Sequence, residues 1–135
     1  MPKNLKYIVF SFLSILYSNE YSAYFDGSAK INIPDSDVSN SPLDLSSEGT
    51  IMAWIKPDGL TQETWANIVT KSDNGNLGGQ LEGISYYLVW RQGDNVIKGA
   101  ICDGSATSGV TMPLLTDEDW HHIAYVFDGE NNYLY

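Results

Sequence analysis

The sequence is short of sulfur, of positive charge and of long apolar runs. A single cysteine, Cys102, stands in 135 residues. No disulfide can form within the chain, and no cysteine-based zinc site exists. Only 7 lysines and arginines face 17 aspartates and glutamates, for a net charge of −10. Nucleic acids and anionic membrane surfaces are recognised by clustered Lys and Arg, so this deficit argues against both as partners. The N-terminal apolar run, residues 7–17, is 11 residues long and holds Ser11 and Ser14. A bilayer span needs about 20 apolar residues, so no membrane span is read here. No window sustains a 3.6-residue period, and only residues 61–66 leave room for one helical turn. With 43% apolar and 18% charged residues the chain is neither disordered nor fibrous, and its length suits one core.

What the sequence does hold is aromatic. Four tryptophans and nine tyrosines suit pleated strands, and they also suit a surface that stacks against sugars. Beyond the N-terminus, short alternating segments are separated by Gly, Asp, Asn and Pro. Strands are expected at 21–25, 30–33, 50–56, 66–71, 85–91, 96–103 and 120–127, with a further one beginning at 132–135. Asp26-Gly27, Pro57-Asp58-Gly59 and Asp73-Asn74-Gly75-Asn76 mark turns between them. The turns Phe25-Asp26-Gly27 and Phe127-Asp128-Gly129 echo one another. Many short strands with regular turns mean an all-β antiparallel sandwich or barrel.

Residues 1–20 stand apart from that pattern. Lys3 and Lys6 precede the apolar run, and small residues follow it between Ser18 and Ala23. This is the layout of a secretory signal peptide. The expected localisation is therefore secreted or cell-surface. Removal after Ser18 also discards Lys3 and Lys6, leaving 5 basic against 17 acidic residues, a charge of −12. Cys102 sits in an apolar strand pattern and reads as a buried, inert thiol.

Ala23-Tyr24-Phe25-Asp26-Gly27-Ser28, followed by Ile31-Asn32-Ile33-Pro34, resembles the opening of laminin G-like jelly-roll domains of the concanavalin A-like lectin/glucanase superfamily. Later pieces arrive in that family's order. Leu43-Asp44-Leu45 precedes Thr50-Ile51-Met52-Ala53-Trp54-Ile55-Lys56-Pro57, then comes Ile68-Val69-Thr70-Lys71. Trp120-His121-His122-Ile123-Ala124 runs into Phe127-Asp128-Gly129. The resemblance implies a two-sheet jelly roll over residues 21–135. It also implies closing strands beyond Tyr135, so the chain reads as the N-terminal part of such a domain, cut from a protein with further domains. A calcium ion at a loop edge is a further implication, with Asp26 as the matching ligand.

Each chemical motif has a competing structural reading. His121 and His122 are neighbours on a strand, so their side chains point to opposite faces and cannot easily share a metal ion. Asp35-Ser36-Asp37 starts like an EF-hand loop, but Asn40 stands where glycine is needed and Ser46 where glutamate is needed. Glycoside hydrolysis needs two carboxylates flanking the scissile bond. The acids here concentrate in turns instead: Asp35, Asp37, Asp73, Asp94, Asp117 and Asp128. An enzyme is not expected. Trp54, Trp90 and Trp120 read as core. Along 85–91, alternation sets Tyr86, Leu88 and Trp90 on the packed face, and Tyr87 with Arg91 on the other. Tyr87, Arg91 and the loop-side Trp65 are the candidate ligand-binding residues. The functional expectation is a noncatalytic binding module that takes carbohydrate or an extracellular protein surface. The alternatives are a structural or adhesion spacer and a truncated glycoside hydrolase.

Overall fold

The computed structural model describes residues 22–34, 43, 45, 48–72, 84–102 and 107–135. The chain divides into two units, Met1–Pro34 and Asp35–Tyr135. The segment read as a signal peptide, the acidic loop from Asp35 and the turn at Asp73-Asn74-Gly75-Asn76 lie outside the described residues.

In the first unit, residues 22–34 form no strand, and Tyr24, Phe25, Ile31 and Ile33 are exposed. The strands expected at 21–25 and 30–33 are therefore not formed over the described residues. Alternating apolar residues become a strand only when a neighbour takes up their N–H and C=O groups. Residues 22–34 have no ladder partner among the described residues.

The second unit is an antiparallel two-sheet sandwich of the jelly-roll kind. Seven strands follow in order: β1 (Gly49–Ile55), β2 (Ala66–Ser72), β3 (Ile84–Arg91), β4 (Val96–Cys102), β5 (Thr107–Pro113), β6 (His121–Phe127) and β7 (Asn132–Leu134). One sheet runs β1-β6-β7 and the other β2-β3-β4-β5. Short turns set the registers of β3-β4 and β6-β7. Asn95, with φ 56°, ends the single 3-10 turn Gln92–Asp94 between β3 and β4. Gly129, with φ 96°, lets the chain reverse between β6 and β7. There Asp128 Oδ1 accepts the N–H groups of Glu130 at 3.0 Å and Asn131 at 2.7 Å.

Between the sheets lie Ile51, Tyr86, Leu88, Trp90, Ile97, Ile123 and Tyr125. Their positions follow from pairing. Leu88 faces Gly99, Trp90 faces Ile97, and Ile51 faces Tyr125. Gly99 is required by that packing, because a Cβ there would run into the Tyr125 ring. Tyr125 has no exposed surface, and its hydroxyl donates to Asn132 Oδ1. Asn132 Nδ2 in turn donates to Ser108 Oγ at 2.8 Å, so a polar link ties β7 to β5 across the sandwich. Burial pushes the Tyr125 phenol up to about 12.

Three expectations are corrected here. Trp54 is not core: it is 67% exposed, and Met52 on the same strand is 62% exposed. Strand β1 is apolar on both faces, but only Ile51, Ala53 and Ile55 turn inward. Trp120 lies just before β6 and is also exposed, because the outer position one residue before His121 has no second layer over it among the described residues. Trp90 is core as read, at 3% exposure. Strand β5 was not expected. Its sequence TSGVTMP is polar and holds Gly109 and Pro113, which reads as loop. It forms because β4 offers a complete pairing edge from Val96 to Cys102.

Candidate functional site

The end of the larger sheet where β2 begins and β3 stops brings two of the expected ligand residues together. Ala66 pairs with Trp90. One step further along the same antiparallel register, Trp65 stands across from Arg91. The Arg91 guanidinium lies over the Trp65 ring, 4.0 Å from its centroid, and also bonds to Asp94. Flat guanidinium on indole is a cation–π stack, and the carboxylate fixes its rotation.

Glutamine side chains hold the surrounding backbone. Gln92 Oε1 accepts from the Trp90 indole N–H at 2.9 Å and from the Gln62 backbone N–H at 3.1 Å. Gln62 Nε2 donates to the Gly59 carbonyl at 2.7 Å. The loop that carries Trp65 is thus tied to the 3-10 turn that carries Asp94. The result is a half-exposed indole backed by an oriented cation. Such a pair offers an apolar plane and hydrogen-bond donors side by side.

Tyr87 does not share in this surface. It lies on the same face of β3 as Arg91, as alternation requires, but it is only 4% exposed. It packs in a second buried cluster with Val89, Ala100 and Cys102. The Lys98 ammonium sits 5.6 Å from its ring centroid. Cys102 is a buried thiol, not part of a disulfide, whose Sγ lies 3.6 Å from Thr107 Oγ1.

Asp26 belongs to the first unit. Its Oδ1 accepts from Ser28 N at 2.9 Å, Ser28 Oγ at 2.7 Å and Ala29 N at 3.0 Å. The Ser28 hydroxyl, followed by these backbone donors, holds its carboxyl below the usual range. Asp128 does the same work with two N–H groups, and its carboxyl is lowered for the same reason. The echo seen between the two Phe-Asp-Gly stretches is a shared aspartate turn, with Gly27 and Gly129 both at positive φ. Calcium takes six to eight oxygens. Asp26 Oδ1 already has three donors, and among the described residues no three acidic, His or Cys side chains gather.

His121 and His122 part as expected. His121 Nε2 donates to Asp117 Oδ1 at 2.7 Å, while His122 stands against the Trp54 ring with centroids 5.2 Å apart. Asp117 is held below the usual carboxylate range by the Asp119 N–H and then by His121.

One surface was missed in the sequence. On the outer face of the smaller sheet, register sets Trp54 beside His122, Met52 beside Ala124, and Thr50 beside Val126. Strand β7 adds Tyr133 next to Val126. Tyr135 adds itself next to Ala124, through backbone bonds in both directions at 3.0 and 2.9 Å. The signal that could have found it was the alternation of β6. Its outward set, His122-Ala124-Val126, is a poor match for a face buried under a second layer.

Among the described residues no helix is long and apolar enough to cross a membrane. A family model described as the concanavalin A-like lectin/glucanases superfamily, of the laminin G type, matches residues 25–135. Comparisons with curated proteins and with solved structures gave no match. The matched span takes in the Phe25-Asp26-Gly27 turn and all seven strands of the sandwich, and the chain belongs to the laminin G-like family of that superfamily.

Proposed function

We propose that this protein is a secreted, noncatalytic module that binds carbohydrate or an extracellular protein surface. Membership of the family supports a binding role in general terms. The observation that carries the finer reading is the half-exposed Trp65 with Arg91 stacked on it and turned by Asp94. Sugars and peptide segments both present apolar patches edged by hydroxyls or carbonyls, which such a pair matches.

The absence of catalysis is supported by where the acids are. None of the seven strands contains an aspartate or glutamate. A sheet-borne pair of carboxylates, as glycoside hydrolysis needs, is therefore missing from the strands. A spacer role would leave the Trp65–Arg91 pair without a ligand, and a truncated hydrolase would need acids that the strands lack.

The test is a screen of the full chain against immobilised glycans and extracellular matrix proteins, beside its Trp65→Ala variant. The expected result is a ligand whose retention falls in the variant while the melting temperature holds. A folded wild type that binds nothing would sink the reading in favour of a spacer. Turnover of a glucan, abolished by one Asp or Glu substitution, would sink it in favour of an enzyme. Export has its own check. N-terminal sequencing should find a start between Ser18 and Ala23, and a cytoplasmic product that keeps Met1 would contradict secretion.

A further inference from the structure

We propose that the free edge of β1 pairs with β1 of a second copy of this chain, antiparallel and centred on Met52. This goes beyond the Trp65–Arg91 reading and uses neither of those residues.

Four strands stand at sheet edges: β1, β7, β2 and β5. Sheet edges are commonly blunted by shortness, bulges, proline or charge. Strand β7 has only three residues. The β2-β3 ladder shifts register at Asn67/Val69 and again at Lys71/Ser72. Strand β5 is polar, with Gly109 inside it and Pro113 at its end. Strand β1 carries none of these devices. It pairs with β6 without a break from Gly49 to Ile55, and GTIMAWI holds no charge and no proline.

The register shows which backbone groups β1 leaves open. Ala124 exchanges both of its backbone bonds with Tyr135, so its N–H and C=O point to the β7 side. Successive residues of an antiparallel strand point these groups in opposite directions. Ile123 and Tyr125 therefore point to β1, where they meet Ala53 and Ile51. The N–H and C=O groups of Thr50, Met52 and Trp54 point the other way. No hydrogen bond reaches them among the described residues. A row of donors and acceptors at every second residue is complemented by a polypeptide strand, and by neither a sugar nor a lipid.

Charge selects which strand. Glu48 and Lys56 flank β1, four residues to either side of Met52, and both are exposed. Neither has an ion pair among the described residues. Antiparallel pairing of two β1 strands about Met52 sets Glu48 across from Lys56 of the other copy, at both ends of the ladder. Opposite charges directly across a ladder stabilise it. The same register sets Thr50 across from Trp54, and Ile51 across from Ala53, so no charge falls between the two ends. The net charge of −10 opposes association in general, but this edge brings opposite signs together. Two-fold pairing uses up the edge in both copies. The remaining edges are blunted, so assembly stops at two.

The experiment is sedimentation of the full chain over a concentration series, joined to cross-linking. Wild type should be a dimer that dissociates on dilution. Residues facing each other as a hydrogen-bonded pair have Cα atoms about 5.5 Å apart, inside the roughly 4.4–6.8 Å that a disulfide needs. Met52→Cys should therefore give a covalent dimer on oxidation, and Thr50→Cys should not. Met52→Pro removes one outward N–H and leaves the β6 ladder whole, as proline on an edge does, so it should be a folded monomer by circular dichroism. Glu48→Lys should weaken the dimer about tenfold, and adding Lys56→Glu should restore it. This charge swap decides the matter even where Met52→Pro fails to fold. A wild type that stays monomeric, or that grows past a dimer, would overturn the proposal. So would Thr50→Cys cross-linking as readily as Met52→Cys, or a swap that restores nothing. A dimer lost in Tyr135→Ala and kept in Met52→Pro would also overturn it, since the copies would then meet through the sheet face and not the edge.

Discussion

Strands β1 and β3 look alike in sequence and end in different surroundings. Both are apolar at nearly every position, GTIMAWI and ISYYLVWR. Strand β3 is buried on both faces. Leu88 and Trp90 pack between the sheets, while Tyr87 and Val89 join the second cluster with Ala100 and Cys102. Strand β1 is buried on one face only, with Trp54 and Met52 exposed on the other. Hydrophobicity fixes which residues are able to be buried. Whether a covering layer exists is decided elsewhere in the chain. An aromatic row is therefore core only where a second layer meets it, as at Trp90 and not, among the described residues, at Trp54.

The contrast can be broken most forcefully inside the larger sheet. Leu88 and Val89 are adjacent, fully buried and on opposite faces. Leu88→Ala should cost about 2–5 kcal/mol, and Val89→Ala should also destabilise the fold clearly in urea melts. A silent Val89→Ala would mean that the second face of β3 is not a core.

Gly99→Ala comes next. The added methyl meets the Tyr125 ring, and overpacking of this kind costs about 1–3 kcal/mol. Chemical denaturation measures it, and a neutral result would mean the sheets can separate locally.

Titration sharpens the same interior. The Tyr125 phenol is raised to about 12 from its ordinary 10. Its stabilising contribution is complete below pH 10 and is lost as pH rises from 10 toward 12. Stability should fall across that window, and Tyr125→Phe should flatten the fall. At the acid end the signs reverse. Asp26, Asp117 and Asp128 are held below the usual range. Their contribution is present above pH 4 and fades as pH drops through their lowered values. Asp128→Ala should weaken this acid dependence.

The smallest effect is expected at the surface pair. Arg91→Ala removes the stack on Trp65. Partly exposed cation–π pairs are worth about 0.5–1 kcal/mol. Melting should move little, and Trp65 fluorescence should shift as the ring gains water.

Much of the sandwich was legible because its signals are local. Alternation placed six of the seven strands of the second unit, and the Asp-Gly steps marked turns where Gly59 and Gly129 take positive φ. What escaped depends on distant partners. Strand β5 looks like loop and is a strand only because β4 has an edge to fill. Residues 22–34 look like strands, yet none forms among the described residues. The site divides in the same way. Trp65 and Arg91 were both singled out, but their contact comes from the β2-β3 register, which no single segment shows. Tyr87 had the correct face and the wrong environment, since alternation gives direction and not depth. Trp54 was placed inside because its strand is apolar on both sides, and the opposing His122 was the cue to the contrary.

The most direct test of this account is a paired thermal melt of Trp54→Ala and Trp90→Ala. The two tryptophans have the same volume and sit on strands of similar composition, at 67% and 3% exposure. Trp90→Ala should lose about 3–5 kcal/mol, as buried aromatics do, and its indole bond to Gln92 goes with it. Trp54→Ala should stay within about 0.5 kcal/mol of wild type, as an exposed substitution does. Equal and large losses in both would contradict the account, because Trp54 would then lie under a covering layer and the outer face of β1-β6-β7 would be core.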